Sequence, residues 1–166
     1  SELLQQNPKQ LEEALDQVNA LCDKLEHLVK AVCAVGELSD RNKSIIISNG
    51  ELLSSTIICH AMNAKGIRTN FIDARQMMKT SSSYLKGEPI ESEILTRVPE
   101  IVSKAYEGMD AVITQGFIGT NMEGEQTVLG RGGSDYSASL IGMAIDAEKI
   151  EIWTDVDGVR SADPRK

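Results

Sequence analysis

The chain has no GxxxxGK[ST] sequence, and no GxGxxG opens a helix after a first strand, so neither a P-loop nor a Rossmann mode of nucleotide binding is expected. Cysteine is scarce: Cys22, Cys33 and Cys59 form an odd set without CxxC spacing, each among apolar neighbours, and are expected to be reduced thiols in the core. The two histidines, His27 and His60, lie far apart, belong to no HExxH pattern and read as ordinary helix residues, so no metal site is expected. Basic residues are outnumbered, 17 Lys and Arg against 25 Asp and Glu, and they do not cluster. A net charge of -8 opposes neutralisation of a phosphate backbone, so no nucleic-acid partner is expected. No uninterrupted apolar run approaches the roughly 20 residues of a membrane-spanning helix, and the amino terminus lacks a basic-then-apolar signal pattern. The expectation is a soluble, cytoplasmic protein without a membrane partner, and 166 residues suffice for a single core.

What is present is an alternation of helical and strand-like segments. Leu11, Leu15, Val18, Cys22, Leu25, Val29 and Val32 alternate spacings of four and three, which predicts one stripe of a long helix ending at Gly36. Leu21 and Leu28 widen the stripe beyond a coiled-coil seam, so packing within the domain is expected. Residues 1–40 thus read as mainly helical, and residues 43–166 as a β/α core. Residues 43–48, with three consecutive isoleucines, are a candidate buried strand that Asn49-Gly50 would break. A helix over 51–64, a strand over 67–73, an irregular loop over 79–91, a helix over 93–108 and a strand over 111–115 follow. The last third reads as a Gly-rich connection over 116–133, a helix from Ser134 to about Ala147 and a strand over 149–154. Strands separated by helices predict a largely parallel sheet, with ligands at the carboxyl ends of its strands. The loops at 48–51, 115–119 and 154–158 would converge there.

The strongest local signal is Gly130-Arg131-Gly132-Gly133-Ser134-Asp135. Closely spaced glycines let backbone N–H groups approach a ligand just before a helix begins, Ser134 is a suitable cap, and Arg131 offers a planar fork to a carboxylate or phosphate. A flexible turn with a surface arginine satisfies the same residues. Asp135 either complements the helix dipole or orients a cationic group or magnesium ion in a phosphoryl-transfer site. Glu51 is either a first-turn acid or a ligand for the ammonium of an amino acid. Residues 154–159 contain the turn dipeptide Asp157-Gly158, which fits a tight connection or a nucleotide-binding strand end.

Taken together, SNGELLSS (48–55), QGFIG (115–119), TVLGRGGSDYSAS (127–139) and WTDVDGVRSADPR (153–165) resemble, in the same order, the loops of aspartate kinases within the amino-acid kinase family. The resemblance implies an α/β fold, a three-layer α/β/α sandwich with a mainly parallel sheet, and phosphoryl transfer from ATP to the β-carboxylate of L-aspartate, giving 4-phospho-L-aspartate at the head of lysine, threonine and methionine synthesis. It implies that Arg131 pairs the α-carboxylate of aspartate, that Glu51 lies near its ammonium, that Gly132 and Ser134 line the substrate, and that Asp135 organises the catalytic centre. It implies that Thr154, Asp155, Arg160 and Arg165 belong to the nucleotide site, although Arg160 departs from the tyrosine of some members. Magnesium is the natural partner of the ATP phosphates. Members of the family also carry a KFGGTS-type strand whose lysine stabilises the moving phosphoryl group. No such segment occurs here, so the resemblance is to an internal part of the catalytic domain, and the 166-residue chain by itself is expected to be inactive. The whole protein would be a homo-oligomer with C-terminal ACT regulatory domains. The alternatives are another kinase of the same architecture, such as glutamate 5-kinase, acetylglutamate kinase or uridylate kinase, and a non-catalytic regulatory or interaction module with this fold.

Overall fold

The computed structural model describes residues 8–153. Helices α1 (Pro8–Val35) and α2 (Asp40–Ala64) come first, followed by strand β1 (Thr69–Ile72) and a short 3-10 turn (Ala74–Gln76). Helix α3 (Glu91–Tyr106), strands β2 (Ala111–Thr114), β3 (Ile118–Thr120) and β4 (Gln126–Val128) and helix α4 (Gly133–Ala144) complete the order. This is the α/β class expected.

Helix α1 ends where the glycine signal placed it, with Gly36 at φ +74°. A four-residue link then returns the chain so that α2 packs along α1. The inward stripe is Leu11, Ala14, Val18, Leu21, Leu25, Leu28 and Val32, one flank over from the expected one, and Leu15, Cys22 and Val29 are exposed. The correction extends to the cysteines. Cys22 and Cys33 are exposed and only Cys59 is buried, because α1 is covered on one side alone.

Residues 43–48 are helical rather than a strand, and Asn49-Gly50 lies inside α2 instead of breaking it. Three features outweigh the β-propensity of the isoleucines. Ser39 caps the helix, its Oγ accepting from Asn42 N at 3.2 Å, and Asp40 complements the dipole in the first turn. Buried Ser44, Ser48, Leu52, Ser55 and Cys59 also recur every three or four residues, a helical stripe made mostly of small side chains. Tertiary packing therefore decides the conformation. With 25 residues and an 18-residue window of mean hydropathy 1.3, α2 has the length and composition of a membrane span, but its stripe is spent on strand β4: Ser44 Oγ donates to Gln126 O at 3.0 Å, and Gln126 Nε2 donates to Ser48 Oγ.

Strands β1 and β2 pair in parallel, Thr69 against Ala111 through Ile72 against Thr114. Their sheet lies between α2 and α3. On one side Asn63 of α2 uses its amide as a strand edge would, donating to Thr69 O at 2.8 Å and accepting from Thr69 N at 3.0 Å. On the other, Asn70 Nδ2 donates to Ala105 O of α3 at 3.0 Å. Ile72, Met77, Met78, Ile94, Val98 and Leu140 fill the core beneath α3 and α4. A second core joins Leu52 of α2 to Ala74, Ile118 and Val128.

The glycine-rich connection holds an unexpected antiparallel hairpin, β3 with β4, turning at residues 121–125, where Gly124 has φ +83°. The 79–91 loop is tied to both of its strands: Thr80 N donates to Thr120 O at 2.9 Å and Thr120 N to Met78 O at 2.9 Å, while Val128 N donates to Tyr84 O at 2.9 Å and Gly87 N to Val128 O at 2.8 Å. The expected strand over 149–154 is absent from residues 149–153, and Thr154 lies outside the described residues. Ile150 instead packs its side chain over Gly142 of α4.

The hairpin is seated so closely that a Cβ on Gly119 would lie 2.7 Å from Met78 O and 2.9 Å from Thr80 Cγ2. A backbone atom cannot swing aside as a side chain does, so Gly119→Ala is expected to cost about 1 to 3 kcal/mol through forced backbone shifts. A thermal melt of the variant beside the parent measures the cost. A melting temperature equal to the parent's would mean that the hairpin adjusts freely.

Candidate functional site

Strand β2 ends at Thr114, and the next five residues turn sharply across the amino terminus of α4. Gly116 allows the turn, since a Cβ there would lie 3.0 Å from Ser134 Cα. Phe117 follows in the left-handed region at φ +68°. Its N–H donates to Ser137 Oγ at 3.0 Å, its carbonyl accepts from Leu129 N at 2.9 Å, and its ring edge approaches Gly133, where a Cβ would lie 2.9 Å from Cδ2. Ser137 Oγ in turn donates to Gly133 O at 2.8 Å. The loop at 115–119 and the Gly130–Asp135 segment are thus one structural unit, joined by the hairpin and locked at Phe117.

Gly130 and Gly132 both have left-handed backbone, at φ +80° and +73°. The second is the N-cap of α4, and no side chain caps the helix. This corrects the assignment of Ser134 as the cap: Ser134 lies in the first turn and is exposed, like Arg131 and Asp135. The first-turn N–H groups of α4 are therefore not consumed by a side-chain cap, and Asp135 adds one negative charge beside them. Arg131 projects from a glycine-flanked turn at the positive end of the helix, an arrangement with the chemistry to hold a carboxylate or phosphate.

Glu51 reaches the region from a different element than expected. It lies in the middle of α2, half-buried, not at a strand end. The adjacent Leu52 joins the core of Ile118 and Val128, against which Phe117 packs, so the turn of α2 that bears Glu51 sits beside the 115–119 loop. Thr154, Asp155, Arg160 and Arg165, and the whole 154–158 loop, lie outside the described residues. Among the described residues no His, Cys, Asp and Glu side chains gather in a group able to hold a metal ion.

Two features were missed in the sequence, the buried bonding of Gln115, whose 115–119 loop was expected near the ligand, and an ion pair. Gln115 is buried at the end of β2, with Oε1 accepting from Ala74 N at 2.9 Å and Nε2 lacking a partner among the described residues. A buried donor of this kind at a strand's carboxyl end is where a ligand or an ordered water completes the bonding. The other is the ion pair of Asp73 and Arg75, just past β1. Arg75 Nε and Nη2 reach the carboxylate at 2.8 and 2.5 Å, and Asp73 Oδ1 also caps the 3-10 turn through Arg75 N at 3.0 Å. Burial alone would raise the Asp73 carboxyl, but the hydrogen bonds and charge of Arg75 prevail and hold it below its ordinary range. The same bonds raise the Arg75 guanidinium. An Asp-x-Arg that begins on the last residue of the predicted strand over 67–73 was the available signal.

With this geometry in view, residues 4–166 match the family model described as the amino acid kinase family. The lysine-sensitive aspartokinase 3 of Escherichia coli is 33% identical over 92% of this chain and 35% of its own length. The aspartokinase of Chlamydia muridarum is 39% identical over 78% of the chain and 29% of its own length. A crystal structure of E. coli aspartokinase III in complex with aspartate and ADP superposes with a TM-score of 0.81 at 30% identity, covering 90% of the chain and 33% of that structure. The chain thus spans about a third of the length of the relatives it matches.

Because the folded-state acidity of Asp73 is increased by Arg75, the pair contributes stability above the carboxyl's unfolded range and loses it as pH falls through that range toward the lower folded value. Melting temperature is expected to fall below about pH 4, and Asp73→Asn should lower it at neutral pH while flattening that acid limb. Thermal melts from pH 7 to pH 2 test the sign. An acid limb unchanged in the variant would assign it to other carboxylates.

Proposed function

Because the chain belongs to the amino acid kinase family, we propose that it is part of the catalytic domain of an aspartate kinase, transferring the γ-phosphoryl group of ATP to the β-carboxylate of L-aspartate. The single observation that carries this reading is the cradle at Gly130–Gly133, where Arg131 projects at the positive, uncapped amino terminus of α4. The aspartokinase relatives and the structure solved with aspartate and ADP support it.

In this reading the guanidinium of Arg131 takes the α-carboxylate of aspartate in a two-pronged contact, and Glu51 faces the ammonium group. Gly132 and Ser134 supply backbone N–H groups. A β-carboxylate oxygen attacks the γ-phosphorus, the bond to the bridging oxygen of ADP breaks, and ADP leaves with the charge. Little covalent chemistry falls to the protein, so positioning and electrostatics carry catalysis. Asp135 holds a cationic group of the centre in place. Thr154, Asp155, Arg160 and Arg165 would serve the nucleotide, and Mg2+ would arrive with its phosphates. The whole protein would be a cytoplasmic homo-oligomer with ACT regulatory domains.

The test is aspartate-dependent ADP release by the whole encoded protein, with glutamate, acetylglutamate and uridylate as rival acceptors. Release with one of those and not with aspartate would overturn the reading.

Arg131→Ala is expected to raise KM for aspartate far more than KM for ATP, and Arg131→Lys to restore it only partly, since an ammonium keeps the charge and loses the fork. An effect confined to ATP would remove Arg131 from the amino-acid side. For Asp135→Asn, a purely dipolar role predicts a loss of about 0.3 to 1 kcal/mol in stability with turnover intact. The catalytic role predicts an unaltered melt with turnover reduced at least about a hundredfold. Steady-state kinetics and a melt on one preparation separate the two.

A further inference from the structure

Glu51 and Arg131 come from elements far apart in the chain, and the structure holds a specific device between them. Arg75 is at its centre, with each polar edge directed to a different element. Nε and Nη2 engage Asp73 at the end of β1, and Nη1 donates to Gln126 Oε1 at 3.0 Å. The Arg75 carbonyl accepts from Thr120 Oγ1 at 2.8 Å, and that hydroxyl accepts from Lys79 Nζ at 2.8 Å. Gln126 carries the connection onward. Its Nε2 meets Ser48 Oγ and, at 3.4 Å, Ser44 O, while its own carbonyl accepts from Ser44 Oγ at 3.0 Å. Ser48 lies three residues before Glu51 on α2, which is about 4.5 Å along the axis. On the other side, β4 runs from Gln126 into the Gly130–Gly133 cradle.

Resting on the aspartate kinase reading above, we infer that Arg75 is a positioning residue that sets the register of α2 against β4, and so the placement of Glu51 relative to Arg131 at the amino-acid end of the site. The geometry demands a guanidinium. Asp73 and Gln126 lie on different edges of one rigid plane, and an ammonium satisfies one of them while leaving the other exposed to rearrangement. A slide of α2 by a fraction of a turn would carry Glu51 out of reach of the substrate ammonium. The consequence therefore falls on aspartate and spares ATP.

The experiment uses the whole encoded protein and compares Arg75→Lys with the parent, alone and with Glu51→Gln. Arg75→Lys is expected to raise KM for aspartate on the order of tenfold through misplacement of Glu51, leaving KM for ATP unchanged. Gln126→Met, which keeps length and loses all three side-chain hydrogen bonds, should give the same selective rise and serves if the lysine variant does not fold. In the Glu51→Gln background either substitution should add little, because the contact it positions is already gone. An unmoved KM for aspartate, a parallel rise for ATP, or full additivity with Glu51→Gln would overturn the inference while leaving the kinase reading standing. A parent that releases no ADP with aspartate would overturn the kinase reading itself and the role of Arg75 with it.

Discussion

Helix α2 lies against strand β4 closely enough for Ser44 Oγ to bond the carbonyl of Gln126 at 3.0 Å, and most of the architecture follows from that approach. A helix can come so near a strand only where its facing side chains are small, and here the facing positions are Ser44 and Ser48, both fully buried. The hydroxyls do more than save space, because they bond the carbonyl and the side-chain amide of half-buried Gln126. With α2 fixed, Leu52 enters the core of Ile118 and Val128, the hairpin has a floor, and the turn bearing Glu51 is delivered beside the 115–119 loop.

This constraint also explains which parts of the fold were legible in the sequence. The long first helix, its glycine stop, helix α3 and strands β1 and β2 follow from local signals that agree with tertiary context. Isoleucines 45–47 gave the opposite signal, since their β-propensity is real and the serines around them look like turn residues when read singly. Only their spacing, with Ser44, Ser48 and Leu52 four apart, marks a helix face, and periodicity in small polar residues is easily lost beside an apolar run. The hairpin was hidden differently. Strands of three residues each, Ile118–Thr120 and Gln126–Val128, are too short to show alternation above the surrounding glycines. In α1 the stripe was placed one flank away because Leu15 and Val29 are as apolar as Leu21 and Leu28, and the side that meets α2 is decided by the partner.

The site was legible as chemistry and less so as geometry. Gly130 to Asp135 read as a glycine-rich helix start with the chemistry to hold an anion, and the left-handed angles of Gly130 and Gly132 supply the backbone reason for glycine at both positions. That Ser134 is not the cap could not be read, because the capping position depends on which glycine turns the chain. Beyond the local Asp-x-Arg signal, nothing in the sequence links Arg75 to Gln126. Their partnership joins residues more than fifty positions apart, and only the folded chain puts them within reach.

Phe117 gives a further reason to seek the chemistry here. A bulky aromatic at φ +68° is costly, on the order of 1 to 3 kcal/mol, and persists only where neighbours over-determine it. They do so on three sides: its N–H is taken by Ser137, its carbonyl by Leu129, and its ring is pressed on Gly133, whose missing side chain makes the room. A fold in need of a simple connection from β2 to β3 would place glycine at this position and avoid the strain. Holding Phe117 there instead welds the end of β2 to the start of α4, so that Gln115, the cradle and Arg131 move as one body. Exposed Arg131 and Asp135 then have rigid backbone beneath them while their side chains stay free to meet a ligand. The phosphoryl transfer proposed above would set this requirement, since fixed dipoles and charges lower its barrier only when they do not have to reorganise as the phosphoryl group moves.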